Sequence, residues 1–201
     1  MSDVTTIHLI RHGEVHNPEK IYYGRLPGFY LSDCGRLQAA ATAQLLTTHK
    51  LDAIYTSPME RAIETAEIIV QQQDGLALQE SDTIKEVYSP FDGQPISSMV
   101  ARTWDIYSGT EAPYEQPADV LKRVLDYVDQ VRQQHSGQRV ALVTHGDIVM
   151  FMTLWANALP LHAETTQNFY PEYLGHASIS TCTYRTDAAA EIPTLEYVTS
   201  P

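Results

Sequence analysis

Two apolar stretches of this chain each run into a His-Gly dipeptide, and this repetition constrains the fold more than any other feature. The first stretch is Thr5–Ile10 and leads to His12, whereas the second, with the sequence RVALVT, leads directly to His145. Both are short, apolar and rich in β-branched residues, as buried strands are. Strands that are buried on both faces are typical of a parallel sheet covered by helices on each side.

Segments with the periodicity of amphipathic helices separate the predicted strands. The predicted helices are about Asp33–Thr47, Pro58–Val70, Pro117–Gln134 and Ile148–Ala158. Further strands are predicted at LDAIYTS and at two late stretches, HASISTCTYR and PTLEYVTS. Alternating strands and helices predict an α/β protein, a three-layer α/β/α sandwich with a mainly parallel sheet. The pattern breaks down over about residues 88–117, which we interpret as a small lid inserted in a single domain, residues 1–201.

The composition narrows the classes of function. With 201 residues and 43% hydrophobic content, the chain can bury the core of one ordinary globular domain. Its formal net charge of −12 argues against a nucleic-acid partner, because affinity for a phosphate backbone comes largely from Lys and Arg. A small phosphorylated ligand needs only a few local cations, so the net charge does not exclude it.

The sequence also predicts where the protein works. Its longest apolar runs are too short to cross a bilayer, and its N-terminus lacks the basic start and cleavage site of a signal peptide. Its two cysteines, Cys34 and Cys182, argue against a disulfide framework and for a reducing compartment. We therefore expect a cytoplasmic protein without a membrane partner. The sequence leaves a homodimer open.

The residues next to the two histidines predict a site for an anion. Ligands of open α/β sheets bind beyond the carboxyl ends of the strands, where His12 and His145 are expected to converge. Arg11 precedes His12, and Arg61 falls in the first turn of a predicted helix. A cation is mildly unfavourable at a helix N-terminus unless an anion binds there, and guanidinium groups favour oxyanions.

The histidines of the first motif also raise the hypothesis of a metal site. His8, His12 and His16 have i, i+4 spacing, which places side chains on one face only within a helix. This stretch instead has the pattern of a strand followed by a loop, so the three side chains are expected to point in different directions. We therefore predict neither a metal ligand set nor a metal cofactor.

Four motifs, in this order and spacing, resemble those of the histidine phosphatase superfamily, the phosphoglycerate mutase-like fold. They are LIRHGE, GRLPGFYLSDCGRLQA, IYTSPMERAIETAE and LVTHGDIV, and the resemblance runs from residue 7 to about residue 152. It implies that His12 accepts the phosphoryl group as phosphohistidine. It further implies that Arg11, Arg61 and His145 neutralise the phosphoryl oxygens, and that Glu86 is the general acid. Such chemistry requires no cofactor.

The resemblance extends to a loop between the first strand and the first helix. Asn17, Gly24 and Arg25 fall in the stretch where members of the family contact phosphate or substrate. In many relatives the Asn lies one residue further along, after a Trp that this chain lacks. His176, at the start of a late strand, could reach the pocket but is not assigned to it.

The surroundings of Glu86 depart from the family pattern. The family commonly continues with Gly-x-Trp-Glu-Gly, whereas this chain has VYSPFDGQP, which leaves Asp92 as an alternative acid. The acid-phosphatase branch of the superfamily carries its acid directly after the second motif histidine. Here Gly146 intervenes, so we interpret Asp147 as a helix cap. Ser57 and Glu60, which precede Arg61, are interpreted as a capping box.

The reaction is predicted from the charges around the lid. A mutase holds a bisphosphorylated intermediate and needs extra basic residues, but between Tyr88 and Asp119 the single cation is Arg102. We therefore predict a phosphomonoester hydrolase, a phosphatase that acts on a small phosphorylated metabolite. Two alternatives stay open: a phosphoglycerate mutase-type phosphotransferase and a non-catalytic phosphate-binding regulatory domain.

Overall fold

The computed structural model describes residues 4–162, 165, 174–185 and 192–199. Within them, strands and helices alternate along most of the chain. The strands are β1 (Val4–Arg11), β2 (Ala53–Thr56), β3 (Leu78–Glu80), β4 (Arg139–Thr144), β5 (Ile179–Arg185) and β6 (Thr194–Val198). The helices are α1 (Asp33–Leu46), α2 (Glu60–Val70), α3 (Ile96–Ala101), α4 (Pro117–Gln134) and α5 (Gly146–Ala156). None of these helices is long and apolar enough to span a membrane.

The strands form one sheet in the order β3-β2-β4-β1-β5-β6. The β3, β2, β4 and β1 strands are parallel, whereas β5 is antiparallel to β1, and β6 is antiparallel to β5. The predicted mainly parallel sheet is therefore confirmed. Since β1 and β4 are neighbours, the loops that follow them leave the sheet side by side.

Alternate residues of the central strands build the cores on the two faces of the sheet, as the pleat of a strand requires. Val140 and Leu142 of β4 pack into the core that α4 and α5 cover. Ala141 and Val143 pack into the core that α1 and α2 cover. All four are fully buried, and the predicted three-layer α/β/α arrangement is confirmed.

The loop after β1 is held tightly against α1 and α2. The backbone N–H of Gly13 donates to the hydroxyl of Thr65 on α2 at 3.1 Å. A Cβ atom on Gly35, near the start of α1, would lie 2.0 Å from the carbonyl oxygen of Glu14, so no side chain fits there. These contacts fix the backbone that directly follows His12.

Candidate active site

His12 and His145 lie next to each other where β1 and β4 end. The register of the two parallel strands pairs Arg11 with Thr144, so both histidines leave the sheet at the same level. Their ring centroids are 5.3 Å apart, and the side chains are almost fully buried. The convergence expected from the two His-Gly motifs is therefore a consequence of strand pairing.

Arg61 is fully buried between the two histidines. Its Nε donates to His12 Nε2 at 3.2 Å, and its Nη2 contacts the Gly24 carbonyl at 2.8 Å and His145 Nδ1 at 3.2 Å. The guanidinium lies 4.8 Å from the ring centre of Tyr23. Its Nη1 has no hydrogen-bond partner among the described residues. A buried cation with an unused donor is a strong site for an anion, because an unsatisfied buried donor is costly.

The hydrogen bonds of His12 define its tautomer. Its Nδ1 lies 2.8 Å from the carbonyl oxygen of Gly13, which only accepts, so Nδ1 carries the proton. Nε2 then bears the lone pair that accepts from Arg61. Burial, followed by the charges of Arg61 and Arg11, holds the pKa of His12 well below its ordinary value. The imidazole is therefore neutral and nucleophilic at Nε2 near neutral pH.

His145 is neutral for the same reasons. Burial and the charge of Arg61 hold its pKa well below the ordinary value. Because Arg61 donates to Nδ1, the proton is on Nε2, which donates to the hydroxyl of Ser57 at 2.8 Å. Ser57 thus sets the orientation of the ring, a role that sequence reasoning missed.

The predicted capping box at the start of α2 is wrong. The N-cap residue of α2 is Met59, without a side-chain cap. The carboxylate of Glu60 instead accepts from the backbone N–H of Gly28 at 3.0 Å. The Ser57 hydroxyl instead contacts His145 Nε2 at 2.8 Å and accepts from the backbone N–H of Met59 at 3.4 Å.

His176 joins the site from the turn before β5. Arg11 donates through Nη2 to His176 Nε2 at 3.1 Å and through Nη1 to the carbonyl of Leu174. The rings of His176 and His12 are 6.1 Å apart. Burial and the charge of Arg11 lower the pKa of His176 to about 3, so it is a neutral acceptor that orients Arg11.

Glu86 lines the same cavity and is suited to hold a proton. Its side chain is 13% exposed, its Oε1 accepts from the N–H of Val87 at 2.9 Å, and its Oε2 lies 3.8 Å from His145 Nδ1. Burial, followed by the charge of Asp147, raises the pKa of Glu86 to about 7. A carboxyl group that is still half protonated at neutral pH matches the requirement for a general acid.

The interpretation of Asp147 as a helix cap is wrong. The N-cap residue of α5 is His145, and Asp147 lies in the first turn of that helix. Its buried carboxylate accepts from the hydroxyl of Tyr107 at 2.7 Å and lines the cavity next to Glu86. Asp147 therefore contributes negative charge to the site. The sequence His-Gly-Asp suits both a helix cap and a side chain of the cavity. The hydrogen bond from Tyr107 distinguishes the two roles of Asp147.

The loop residues that the resemblance implied occupy different places. Gly24 lines the cavity and turns its carbonyl to Arg61. The Asn17 side chain bonds both backbone groups of Ile21, at 2.8 and 3.2 Å, and so closes its own loop. Among the described residues, the lining of the cavity includes Gly24 but not Asn17.

Arg25 and Asp92 contact each other outside the lining of the cavity. The carboxylate of Asp92 accepts from the backbone N–H of Arg25 at 2.9 Å. The Arg25 side chain reaches the Glu86 carbonyl and the Glu115 carboxylate, at 2.6 and 2.8 Å. Within the described part of the chain, Glu86 and not Asp92 lines the cavity.

The cavity above His12 has a volume of about 460 Å³ and two kinds of wall. Five charged or acid–base side chains form part of the lining, namely Arg11, His12, Glu86, Asp147 and His176. Five largely apolar side chains also line it, namely Ile21, Tyr22, Tyr23, Ile96 and Trp104, and of these Tyr23 lies against the Arg61 guanidinium. Ile96 and Trp104 belong to the region predicted as a lid.

The three histidines of the first motif point in different directions, as predicted. His8 is buried and its Nδ1 contacts the hydroxyl of Thr181 at 3.0 Å, whereas His16 is exposed. Among the residues with described placement, no cluster of three or more His, Cys, Asp or Glu side chains is arranged to hold a metal ion. The groups around His12 are two arginines, neutral imidazoles and two carboxyl groups. The arginines suit an oxyanion.

Comparisons with known proteins agree on one family. The model of the histidine phosphatase superfamily (branch 1) matches residues 7–191. An uncharacterized protein of Mycobacterium tuberculosis is 36% identical over 152 residues, 72% of this chain and 75% of that protein. Phosphoserine phosphatase 1 of Hydrogenobacter thermophilus is 31% identical over 146 residues, 68% and 69% of the two chains. The structure of Bacillus stearothermophilus YhfR, 25% identical, superposes with a TM-score of 0.78 over 95% of both chains.

Proposed function

Because this chain belongs to the histidine phosphatase superfamily (branch 1), we propose that it hydrolyses small phosphate monoesters through a phosphohistidine on His12. One observation carries this proposal: the unprotonated Nε2 of a buried, neutral His12 lies beside Arg61, whose Nη1 has no hydrogen-bond partner among the described residues. The nucleophile and the cation that would hold the phosphoryl group therefore occupy one site. Relatives with phosphatase names support the same reaction.

In the first step the Nε2 lone pair attacks phosphorus, and the bond between phosphorus and the ester oxygen breaks. The electron pair of that bond leaves with the alcohol oxygen, which takes the proton of Glu86. Arg61 and Arg11 neutralise the phosphoryl oxygens, as charge stabilisation in phosphoryl transfer requires. The bond from Nδ1–H to the Gly13 carbonyl stabilises the positive ring that forms.

In the second step the Glu86 carboxylate accepts a proton from water, and the resulting hydroxide attacks phosphorus. The bond between phosphorus and Nε2 breaks, and its electron pair returns to His12. Inorganic phosphate leaves, and both His12 and Glu86 regain their starting protonation states. Two easier displacements thus replace one difficult hydrolysis.

The placement of the basic residues favours hydrolysis over mutase transfer. A bisphosphorylated intermediate needs a second set of cations at the mouth of the cavity. Arg102, the cation of the lid region, instead donates to the carbonyls of Asp105 and Ser108, at 2.9 and 3.3 Å. The raised pKa of Glu86 in the cavity favours turnover over a purely phosphate-binding role.

We also propose that the protein is metal-independent and cytoplasmic. Both reaction steps use groups of the chain alone. Cys34 is an exposed free thiol and Cys182 a buried one, which is typical of a reducing compartment.

The test is hydrolysis of p-nitrophenyl phosphate in the presence of EDTA, with mass spectrometry after an alkaline quench, which preserves phosphohistidine. We expect turnover that EDTA does not reduce and a phosphoryl group on His12. Turnover that requires an added divalent metal, or a phosphoryl group on another residue, would contradict the proposal.

A further inference from the structure

The first inference concerns the apolar wall of the cavity, the part that the reaction itself does not use. Ile21, Tyr22, Tyr23, Ile96 and Trp104 form this wall. With the phosphoryl group held at Arg61 and His12, these side chains supply the apolar surface that the alcohol part of the substrate contacts in the rest of the cavity. Ligand cavities of this size bury most of a small ligand, so the wall determines which alcohol binds.

The positive charges of the chain are all accounted for. All 13 Lys and Arg residues lie in the part of the chain that the structure describes, and the remaining residues contain no Lys, Arg or His. Arg11 is the only one that lines the cavity, and Arg61 contacts His12. Lys20 precedes a wall residue in sequence, but it is exposed and does not line the cavity. Beyond the two arginines assigned to the phosphoryl group, no cation among the described residues lines the cavity to pair with a carboxylate on the alcohol.

The two carboxyl groups of the cavity add to this discrimination. Asp147 is buried beside Glu86, and the Asp147 charge already raises the pKa of Glu86. A further carboxylate on the substrate would be desolvated next to like charge without a compensating cation, which is costly. An uncharged apolar group would instead be buried favourably against the wall.

On the basis of the proposed phosphatase activity, we propose that the preferred substrates are monoesters of uncharged, largely apolar alcohols, and that substrates with a carboxylate near the ester are disfavoured. Trp104 and Ile96 are then specificity-determining residues. This preference would separate the chain from its phosphoserine phosphatase relative, whose substrate carries a carboxylate and an ammonium group.

The test compares kcat/KM for 2-phenylethyl phosphate, glycerol 2-phosphate, phosphoserine and 3-phosphoglycerate, all esters of alkyl alcohols. We expect 2-phenylethyl phosphate to exceed the two carboxylates by about tenfold or more, since one apolar group in a matching pocket discriminates by that order. Equal values or a preference for a carboxylate would overturn the proposal. Absence of p-nitrophenyl phosphate hydrolysis would instead refute the phosphatase activity itself.

Three variants test whether the apolar wall of the cavity causes this substrate preference. Trp104→Ala is expected to lower the ratio of kcat/KM for 2-phenylethyl phosphate to that for glycerol 2-phosphate by about tenfold. Ile96→Lys, which places a cation in the wall, should raise kcat/KM for 3-phosphoglycerate. Lys20→Ala serves as the matched control and should leave these ratios unchanged. Unchanged ratios in both wall variants would show that the wall does not contact the alcohol.

A second, independent observation concerns the segment that carries Glu86. The carboxylate of Glu115 accepts from Arg25 Nη2 at 2.8 Å and from Arg123 Nε at 2.6 Å. It also accepts from the backbone N–H of Tyr88 at 2.8 Å. We call Arg25, Glu115 and Arg123 the Glu115 clamp. Their side chains are between 19 and 28% exposed, so solvent competes little for these bonds.

The two arginines of the clamp hold the backbone on the other side of Glu86. Arg25 Nε donates to the Glu86 carbonyl at 2.6 Å, and Arg123 Nη2 donates to the Lys85 carbonyl at 2.9 Å. The Arg123 Nη1 reaches the carbonyl of Thr83. The acid is thereby fixed through its own backbone, without any contact between the clamp and the reacting atoms.

We infer that Glu115 is a positioning residue for Glu86, an inference that rests on the proposed role of Glu86 as the acid. Without the Glu115 charge, the two arginines lose their shared partner and release the 83–88 segment. Two uncompensated cations near Glu86 also favour its carboxylate, which lowers its pKa. Loss of the clamp should therefore reduce proton donation by Glu86 more than it weakens binding of the phosphoryl group.

The experiment is Glu115→Gln, with Glu111→Gln as a control that removes the same charge from an exposed position in the same loop. We expect kcat/KM for 2-phenylethyl phosphate to fall about tenfold or more and that for p-nitrophenyl phosphate to fall far less, because nitrophenolate leaves without a proton. The alkaline limb of the alkyl-ester profile should move to lower pH. Glu111→Gln should change neither.

Equal losses for both esters with an unmoved pH limb would overturn the inference, because they would indicate a general structural role. If Glu115→Gln does not fold, Arg25→Lys keeps the charge but loses the forked geometry, and the same two readouts apply. Wild-type protein without activity on either ester would refute the phosphatase function and not the clamp alone.

Discussion

Replacement of His12 by alanine is expected to lower kcat for p-nitrophenyl phosphate by about 10⁴-fold or more, as the loss of a nucleophile does in other covalent enzymes. Among the described residues, His12 is the one histidine that both contacts Arg61 and lines the cavity, and its Nε2 is unprotonated. His145 does not replace it, because its Nε2 carries the proton given to Ser57 and His145 is not part of the described lining of the cavity. Steady-state kinetics and the loss of the phosphohistidine mass measure this effect.

His49→Ala is the matched control, because this histidine is exposed and lies outside the cavity. Inorganic phosphate should still bind His12→Ala through Arg61, and protection against thermal unfolding by phosphate would show it. A variant that binds phosphate but does not react separates the missing nucleophile from a damaged fold. If His12→Ala retained more than a tenth of the wild-type activity, water would have to attack the ester directly, and the phosphohistidine proposal would fail.

The sequence predicted those parts of the fold that depend on local pattern. The Pro117–Gln134 helix was predicted with its observed bounds, because Pro117 suits the first helical position and an apolar residue recurs on one face. The central parallel strands were predicted from short apolar runs, which are stable in water only when they are buried. Their register then explains why His12 and His145 meet.

The site residues that sequence reasoning missed depend on which strands and helices pack against each other. His176 reaches the site only because β5 pairs antiparallel with β1, and no periodicity in a single strand reveals its partner. Ser57 and Asp147 have sequence surroundings that suit helix caps equally well, so their roles follow from the packing of His145 and Tyr107. The Glu115 clamp could not be predicted from the sequence, because Arg25 lies far from Glu115 and Arg123 along the chain.

Arg25 shows how a motif position differs from a role. The resemblance implied a contact with phosphate or substrate, whereas the described side chain bonds the Glu86 carbonyl and Glu115. A guanidinium binds protein carboxylates and carbonyls as well as phosphate, so a basic residue close to an anion site in sequence does not have to contact the anion. Glu115 lies 90 residues further along the chain, so a single sequence does not reveal this competition.

The second large effect is expected for Glu86→Gln, and it should depend on the leaving group. An amide cannot supply the proton that an alkoxide needs, so kcat/KM for 2-phenylethyl phosphate should fall by about 10² to 10⁴-fold. The kcat/KM for p-nitrophenyl phosphate should fall far less, since nitrophenolate is a stable anion and this parameter reports only the first displacement. Stopped-flow kinetics should then show a burst of nitrophenolate, because water attack on the phosphohistidine also lacks its base.

The pH dependence of the alkyl ester follows from the same carboxyl group. Its pKa is raised to about 7, so Glu86 is protonated and active below about pH 7 and loses its proton as the pH rises through that value. Activity on 2-phenylethyl phosphate should therefore fall above pH 7, and Glu86→Gln should lose this part of the profile. Asp147→Asn removes the charge that helps to raise this pKa, so the alkaline limb should move to lower pH. A limb that stays in place in Asp147→Asn and persists in Glu86→Gln would show that another group is the acid.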